Sequence, residues 1–171
     1  MMLGERSDPR RRSKIFITKE LQRISKCPSD NYSVGLLDDN IYQWEILIIG
    51  PRDTLYENAL LKGVMLFPET YPDDPPSFKF VSEVWHPNID SDGNVCISIL
   101  HKAGDDEFGY EDVSERWMPV RDINSILLSI ILLLVEPNSE SPANIEAAQE
   151  FINDRMQYNK RVERLAQKTI E

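Results

Sequence analysis

Cysteine is scarce in this chain of 171 residues: there are two, Cys27 and Cys96, far apart in sequence. That scarcity excludes a disulfide framework, and with no apolar signal-like segment near the start it predicts a reducing, cytoplasmic setting. Histidine is equally rare, and neither His86 nor His101 falls into a paired C-x-x-C spacing, so no metal site is expected. Long hydrophobic runs are missing too. The longest, 126–135, contains Ser129 and falls well short of the roughly 20 residues of a membrane span. Bases are outnumbered, 19 Lys and Arg against 29 Asp and Glu, and the net charge of -10 argues against nucleic acid as a partner. The chain has no internal repeat and no low-complexity tract.

What is present suits one globular domain. Hydrophobic residues make up 41% and charged residues 28%, and a chain of this length buries roughly 70% of its unfolded surface. Residues 1–12 read as a basic, flexible arm carrying Arg6, Arg10, Arg11 and Arg12, ahead of a domain over 13–171. Within 13–26, Ile17, Leu21 and Ile24 recur at helical spacing and Cys27-Pro28 closes the run. Four strand-like runs follow, YSVGLL, IYQWEILII, LLKGVMLF and SFKFV, joined by short turns as in an antiparallel meander. A stiff proline-rich loop, PETYPDDPP, separates the last two. After an irregular segment, Asp122 caps a helix running to Val135 whose apolar residues cover nearly every face, so packing on several sides is expected. Ser141-Pro142 signals another helix start, and the rest reads as one long or two shorter amphipathic helices. The order of elements makes an α+β fold.

The irregular segment SEVWHPNIDSDGNVC holds the candidate chemistry. Cys96 follows the turn signal Asp92-Gly93, and two readings stand: a buried small hydrophobe, or a nucleophile that keeps an acyl group activated as a thioester. His86, ten residues upstream, is either the base of a Cys-His hydrolase, a role also open to His101, or an orienting hydrogen-bond partner.

Taken together, Tyr71-Pro72-x-x-Pro75-Pro76, His86-Pro87-Asn88, Gly93-Asn94-Val95-Cys96-Ile97, Trp117-Met118-Pro119 and Glu136-Pro137-Asn138 occur in an order that resembles the ubiquitin-conjugating enzyme family. The resemblance covers about residues 13–169. Within it the chain looks like the G-type members, which carry an acidic insertion after the cysteine, here at about 102–116. Asp105, Asp106, Glu107, Glu111, Asp112 and Glu115 put six acids and no base into eleven residues. Ser141-Pro142-Ala143-Asn144 fits the same type.

By that resemblance, Cys96 accepts ubiquitin as a thioester from the activating enzyme and passes it to a lysine with a RING-type ligase, building degradation-type polyubiquitin chains. No cofactor is implied, since ATP is used by the upstream activating enzyme. Asn88 either faces the oxyanion formed as the amine attacks or pins the loop before Cys96, and His86 is structural. Where shorter members carry acids near the site, this chain has Ser98 and Ser141, and Asp105 and Asp106 become candidates for positioning the acceptor lysine. Gly104 and Gly109 would let the insertion move, with Phe108 or Tyr110 as its anchor. Ligase contacts map to Lys19, Arg23, Tyr71, Asp73, Met118, Pro119 and Val120, and a surface for the donor ubiquitin to Leu128 and Leu132, which by pattern alone are core leucines. An endoplasmic-reticulum adaptor and a monomeric state complete the expectation. Two alternatives remain: carriage of another ubiquitin-like modifier, and a non-catalytic binding variant, which Cys96 disfavours.

Overall fold

The computed structural model describes residues 8–102 and 112–171. Its first helix, α1 (Pro9–Lys26), starts earlier than the expected position 13. The Asp8 carboxylate accepts the Arg10 N–H at 3.1 Å, and Pro9 takes the first turn, where a missing N–H leaves nothing unpaired. Residues 9–12 of the expected flexible arm are therefore helical, and their basic side chains are tethered: Arg10 pairs with Glu69 and Arg12 with Asp73, each at 2.9 Å. The helix ends as expected, with Cys27 as its C-cap before Pro28.

The four strands fall where alternation and turn residues put them: β1 (Tyr32–Leu37), β2 (Asn40–Ile49), β3 (Leu60–Leu66) and β4 (Ser77–Phe80), antiparallel in that order. Asp38 and Asp39 both take positive φ, 50° and 53°, which matches the twist of a tight hairpin between β1 and β2. The buried face alternates through Trp44, Ile46 and Ile48 of β2, opposite Met65, Gly63 and Leu61 of β3. Gly63 is small for a reason: a Cβ there would lie 2.4 Å from the Phe78 ring, which fills its place.

Helix α2 (Ile123–Val135) is capped by Asp122, whose carboxylate accepts the Ser125 N–H at 2.7 Å. Buried Glu20 of α1 adds a second cap by accepting the Ile123 N–H at 3.0 Å, and so joins α1 to α2. Ile123, Ile126, Leu127, Ile130 and Leu134 join the sheet residues, Ile17 and Tyr158 in one core. The helix packs on several sides as expected, and Leu128, Leu132 and Val135 stand 41%, 57% and 42% exposed along one remaining face.

The Ser141-Pro142 start is not used. Helix α3 (Ile145–Asn153) is capped instead by Asn144, because the N–H groups of Ala143 and Asn144 both donate to the Pro87 carbonyl, at 2.8 and 2.9 Å, and hold this stretch outside the helix. Asp154 breaks the C-terminal run into two by closing α3 and capping α4 (Arg155–Lys168). Among the described residues no helix is long and apolar enough to cross a membrane.

Candidate active site

The stretch over 81–96 is irregular, yet hydrogen bonds hold its backbone at several points. Asp90 folds its carboxylate onto the N–H groups of Asp92 and Asn94, at 3.0 and 2.9 Å, making a side-chain-capped turn. Gly93, at φ 92°, brings this turn against β4, where its carbonyl accepts the Phe80 N–H at 2.8 Å. Bridges from Asn94 to Lys79 and from Val95 to Ile89 follow, and the Cys96 N–H then donates to the Asn88 carbonyl at 2.9 Å. The chain thus delivers Cys96 to the surface, exposed and unpaired by any disulfide. The buried-hydrophobe reading of this cysteine does not apply.

His86 is fully buried. Its Nδ1 accepts the Asn88 N–H at 3.0 Å, which leaves the proton on Nε2 to donate to the Leu133 carbonyl at 2.7 Å. Burial pushes its pKa down to about 4, against the partly offsetting pull of the Leu133 carbonyl. With both nitrogens engaged and the ring neutral, His86 orients the backbone of Asn88 and is not placed as a base.

Asn88, 3% exposed, spans to the loop after α2: its Nδ2 donates to the Asn138 carbonyl at 2.7 Å and its Oδ1 accepts the Asn138 N–H at 2.8 Å. This reciprocal pair is the pinning role. Because the amide nitrogen carries two hydrogens and Asn138 takes one, a donor toward a developing oxyanion is compatible with it. Sequence reasoning did not single out Asn138 as a partner, since it contributes only its main chain and leaves no side-chain signal.

Partial burial raises the Cys96 thiol above its ordinary pKa, and the Asp90 charge raises it further. The resting group is therefore a thiol at neutral pH, in contrast to cysteines primed by an adjacent cation. In a Cys27→Ser background, alkylation of Cys96 by iodoacetamide is expected to titrate with a midpoint above the ordinary thiol range. Asp90→Asn, which keeps an acceptor for the turn but removes the charge, is expected to lower that midpoint. A parent midpoint at or below the ordinary range contradicts this account.

Around the cysteine, Ile97 and Ser98 begin a groove of about 510 Å³ that passes Glu115 and Arg121 to Ser129 and Leu132 of α2. Leu128 and Leu132 share the exposed face of that helix, one turn apart. Ser98 opens a single 3-10 turn, Ser98–Leu100, while Ser141 is exposed in the loop before α3. Asp105 and Asp106, with Gly104, Phe108, Gly109 and Tyr110, lie outside the described residues. The flanks of the acidic segment are seated on the proline-rich loop: Lys102 pairs with Asp74 at 2.7 Å, and the Trp117 indole donates to the Pro72 carbonyl at 2.9 Å.

Of the expected ligase contacts, Lys19, Arg23, Asp73, Met118, Pro119 and Val120 are exposed, Val120 by 87%. Tyr71 is a correction: it is 2% exposed, stacked edge-on against Phe67 at 5.0 Å and close to Trp117 at 5.9 Å, so it supports the loop from beneath.

An exposed thiol on a pinned segment, with His86 unavailable as a base and an apolar helix face nearby, suits a cysteine acyl carrier. Comparison with known proteins gives this class its name. The model of the ubiquitin-conjugating enzyme family matches residues 16–166. The chain is 50% identical over 164 residues to ubiquitin-conjugating enzyme E2 15 of Schizosaccharomyces pombe, covering 95% of this chain and 98% of that protein. It is 51% identical over 158 residues to ubiquitin-conjugating enzyme E2 7 of Arabidopsis thaliana, covering 92% and 95%. It is also 42% identical over 152 residues to ubiquitin-conjugating enzyme E2 G2 of Homo sapiens, covering 88% and 92%, which agrees with the G-type resemblance. The chain belongs to the ubiquitin-conjugating enzyme family. It is an E2 transferase, and its partners by family are ubiquitin, the activating enzyme and ubiquitin ligases.

Proposed function

We propose that Cys96 is the acceptor residue of this transferase and that the bound ubiquitin passes from it to lysine amines with a RING-type ligase, building degradation-type polyubiquitin chains. The observation that carries the reading is the exposed Cys96 thiol at the end of the segment pinned by His86 and Asn88. Its thiolate attacks the thioester carbonyl on the activating enzyme and expels that enzyme's thiol. A lysine amine then attacks the Cys96 thioester, the Cys96 thiolate leaves, and the amine gives up its proton as the isopeptide forms. The exposed Leu128 and Leu132 supply an apolar rest for the carried ubiquitin, and the charged and apolar surface from Lys19 and Arg23 to Met118, Pro119 and Val120 supplies a docking face for the ligase. Asp105 and Asp106 are assigned to positioning the acceptor lysine. We place the enzyme in the cytosol as a monomer, recruited by an adaptor to the endoplasmic reticulum, a placement that rests on the G-type resemblance and on two cysteines left as free thiols.

A non-reducing gel after incubation with activating enzyme, ATP and ubiquitin tests the reading. The parent is expected to show a thiol-sensitive adduct, and Cys96→Ser a thiol-resistant ester in its place. An adduct that survives thiol treatment in the parent, or one still thiol-sensitive in Cys96→Ser, places the acceptor elsewhere. An adduct only with another ubiquitin-like modifier and its own activating enzyme replaces ubiquitin in the proposal.

A further inference from the structure

Trp85, immediately before His86, belongs to a closed set of three contacts. Its indole Nε1 donates to Glu150 Oε1 at 3.1 Å. The other oxygen of the same carboxylate, Oε2, lies 3.4 Å from Arg161 Nη1. The Arg161 guanidinium in turn covers the Trp85 ring, 3.8 Å from its centroid. Each member therefore touches both others: one hydrogen bond, one ion pair and one cation–π contact.

The three residues come from three places. Glu150 sits near the end of α3 and Arg161 in α4, on opposite sides of the break at Asp154, and Trp85 belongs to the active-site segment. The two helices are locked to each other nearby by the edge-on Phe151–Tyr158 pair at 5.1 Å and by Arg155 over the Phe151 ring at 3.5 Å. The cluster thus transmits the fixed position of a helix pair to the chain at Trp85. From there the path to the thiol is short: His86 Nδ1 accepts the Asn88 N–H at 3.0 Å, and the Asn88 carbonyl accepts the Cys96 N–H at 2.9 Å.

We propose that Glu150, acting through Trp85, is a positioning residue for the transfer step: its hold on the indole sets where Cys96 and Asn88 stand when the lysine amine attacks. The inference rests on the Cys96 reading above. Transfer from a bound thioester depends on aligning two reactants, and a misplacement of about 1 Å costs on the order of 100-fold. Loading exchanges one thiol for another at a carbonyl that the activating enzyme presents, and so asks less alignment of this chain than attack by a lysine amine does. Discharge is therefore the step that the cluster controls.

The test uses the full chain with three substitutions. Trp85→Phe keeps a ring under the guanidinium but removes the indole donor. Glu150→Ala removes the hydrogen bond and the ion pair, whereas Glu150→Gln keeps an acceptor for the indole. Each is loaded with ubiquitin and discharged to free lysine over a range of concentrations. Trp85→Phe and Glu150→Ala are expected to lower the maximal discharge rate about tenfold with the half-saturating lysine concentration and the loading rate unchanged. Glu150→Gln is expected to return within about threefold of the parent. The side-chain amide resonances of Asn88 are expected to shift in the two impaired variants and not in Glu150→Gln.

Discharge at the parent rate in all three variants overturns the inference, as does a loss that falls equally on loading and discharge, which marks a general packing role. Failure of the parent to load at Cys96 overturns the underlying reading instead, so the two are separable.

Discussion

Replacing Asn88 by alanine is expected to slow discharge of the Cys96 thioester to lysine by about two orders of magnitude, a loss of the size seen when one positioned donor is removed from an acyl-transfer site. Two effects add. The reciprocal pair with Asn138, at 2.7 and 2.8 Å, disappears, and the loop after α2 is no longer latched to the segment whose Asn88 carbonyl holds the Cys96 N–H. The second hydrogen on Nδ2 is lost as well, and with it a neutral donor for the developing oxyanion. Stability falls by only about 1–2 kcal/mol, because Asn138 is exposed and water replaces the lost partners of its backbone groups. Loading changes by less than about threefold, since exchange between two thiols needs less stabilisation of the transferred carbonyl than attack by an amine. Single-turnover loading and discharge assays, with a denaturant melt on the same preparation, read all three quantities. Parent-like discharge in a folded Asn88→Ala enzyme contradicts both roles of this residue.

Local signals in the sequence carry as far as local physics does. The strand run YSVGLL coincides with β1 because period-2 burial and the turn residues Asp38 and Asp39 act within a few residues. Helix α2 begins and ends as read, since Asp122 caps it through its own side chain. Two of the misses involve a partner distant in sequence. The early start of α1 is held by acids of the proline-rich loop, Arg12 lying 61 residues from Asp73, which no helical pattern reports. Ser141-Pro142 has every mark of a helix start, but the Pro87 carbonyl takes the next two N–H groups. On helix α2, Leu128 and Leu132 read as core leucines by pattern alone, whereas both face outward on the side nearest the groove beside Cys96.

The site divides in the same way. Cys96 and His86 are legible as candidate reactive side chains in a stretch with no regular period, and Asn88 through the family resemblance. Their supports are not: Leu133 and Asn138 act through main-chain atoms, and Glu150, 65 residues from Trp85, looks like any acid on an amphipathic helix. Tyr71 was misplaced on the surface because a proline-rich stretch reads as exposed throughout, although one aromatic within it anchors the loop under Trp117.

Gly93→Ala is expected to be the most damaging single-methyl change near the site, costing about 3 kcal/mol, a large share of the roughly 5–15 kcal/mol that holds a domain folded. A residue with a side chain at φ 92° carries backbone strain of about 1–2 kcal/mol. Its Cβ would also lie 2.2 Å from the Phe80 carbonyl oxygen, a main-chain atom of β4 that cannot rotate away. Relief requires the turn to lift, which breaks the 2.8 Å bond from the Phe80 N–H to the Gly93 carbonyl at a further cost of about 1 kcal/mol. Because that lift occurs three residues before Cys96, loading with ubiquitin is expected to fall even at temperatures where the variant is fully folded. Gly35→Ala is the matched control. Its Cβ meets nothing within 4 Å on β1, so the same methyl group there is expected to be neutral or to add about 0.5 kcal/mol by restraining the unfolded chain. Urea melts measure both, and equal midpoints for the two variants with unchanged slopes would refute the assignment of Gly93 as the fixed joint between β4 and Cys96.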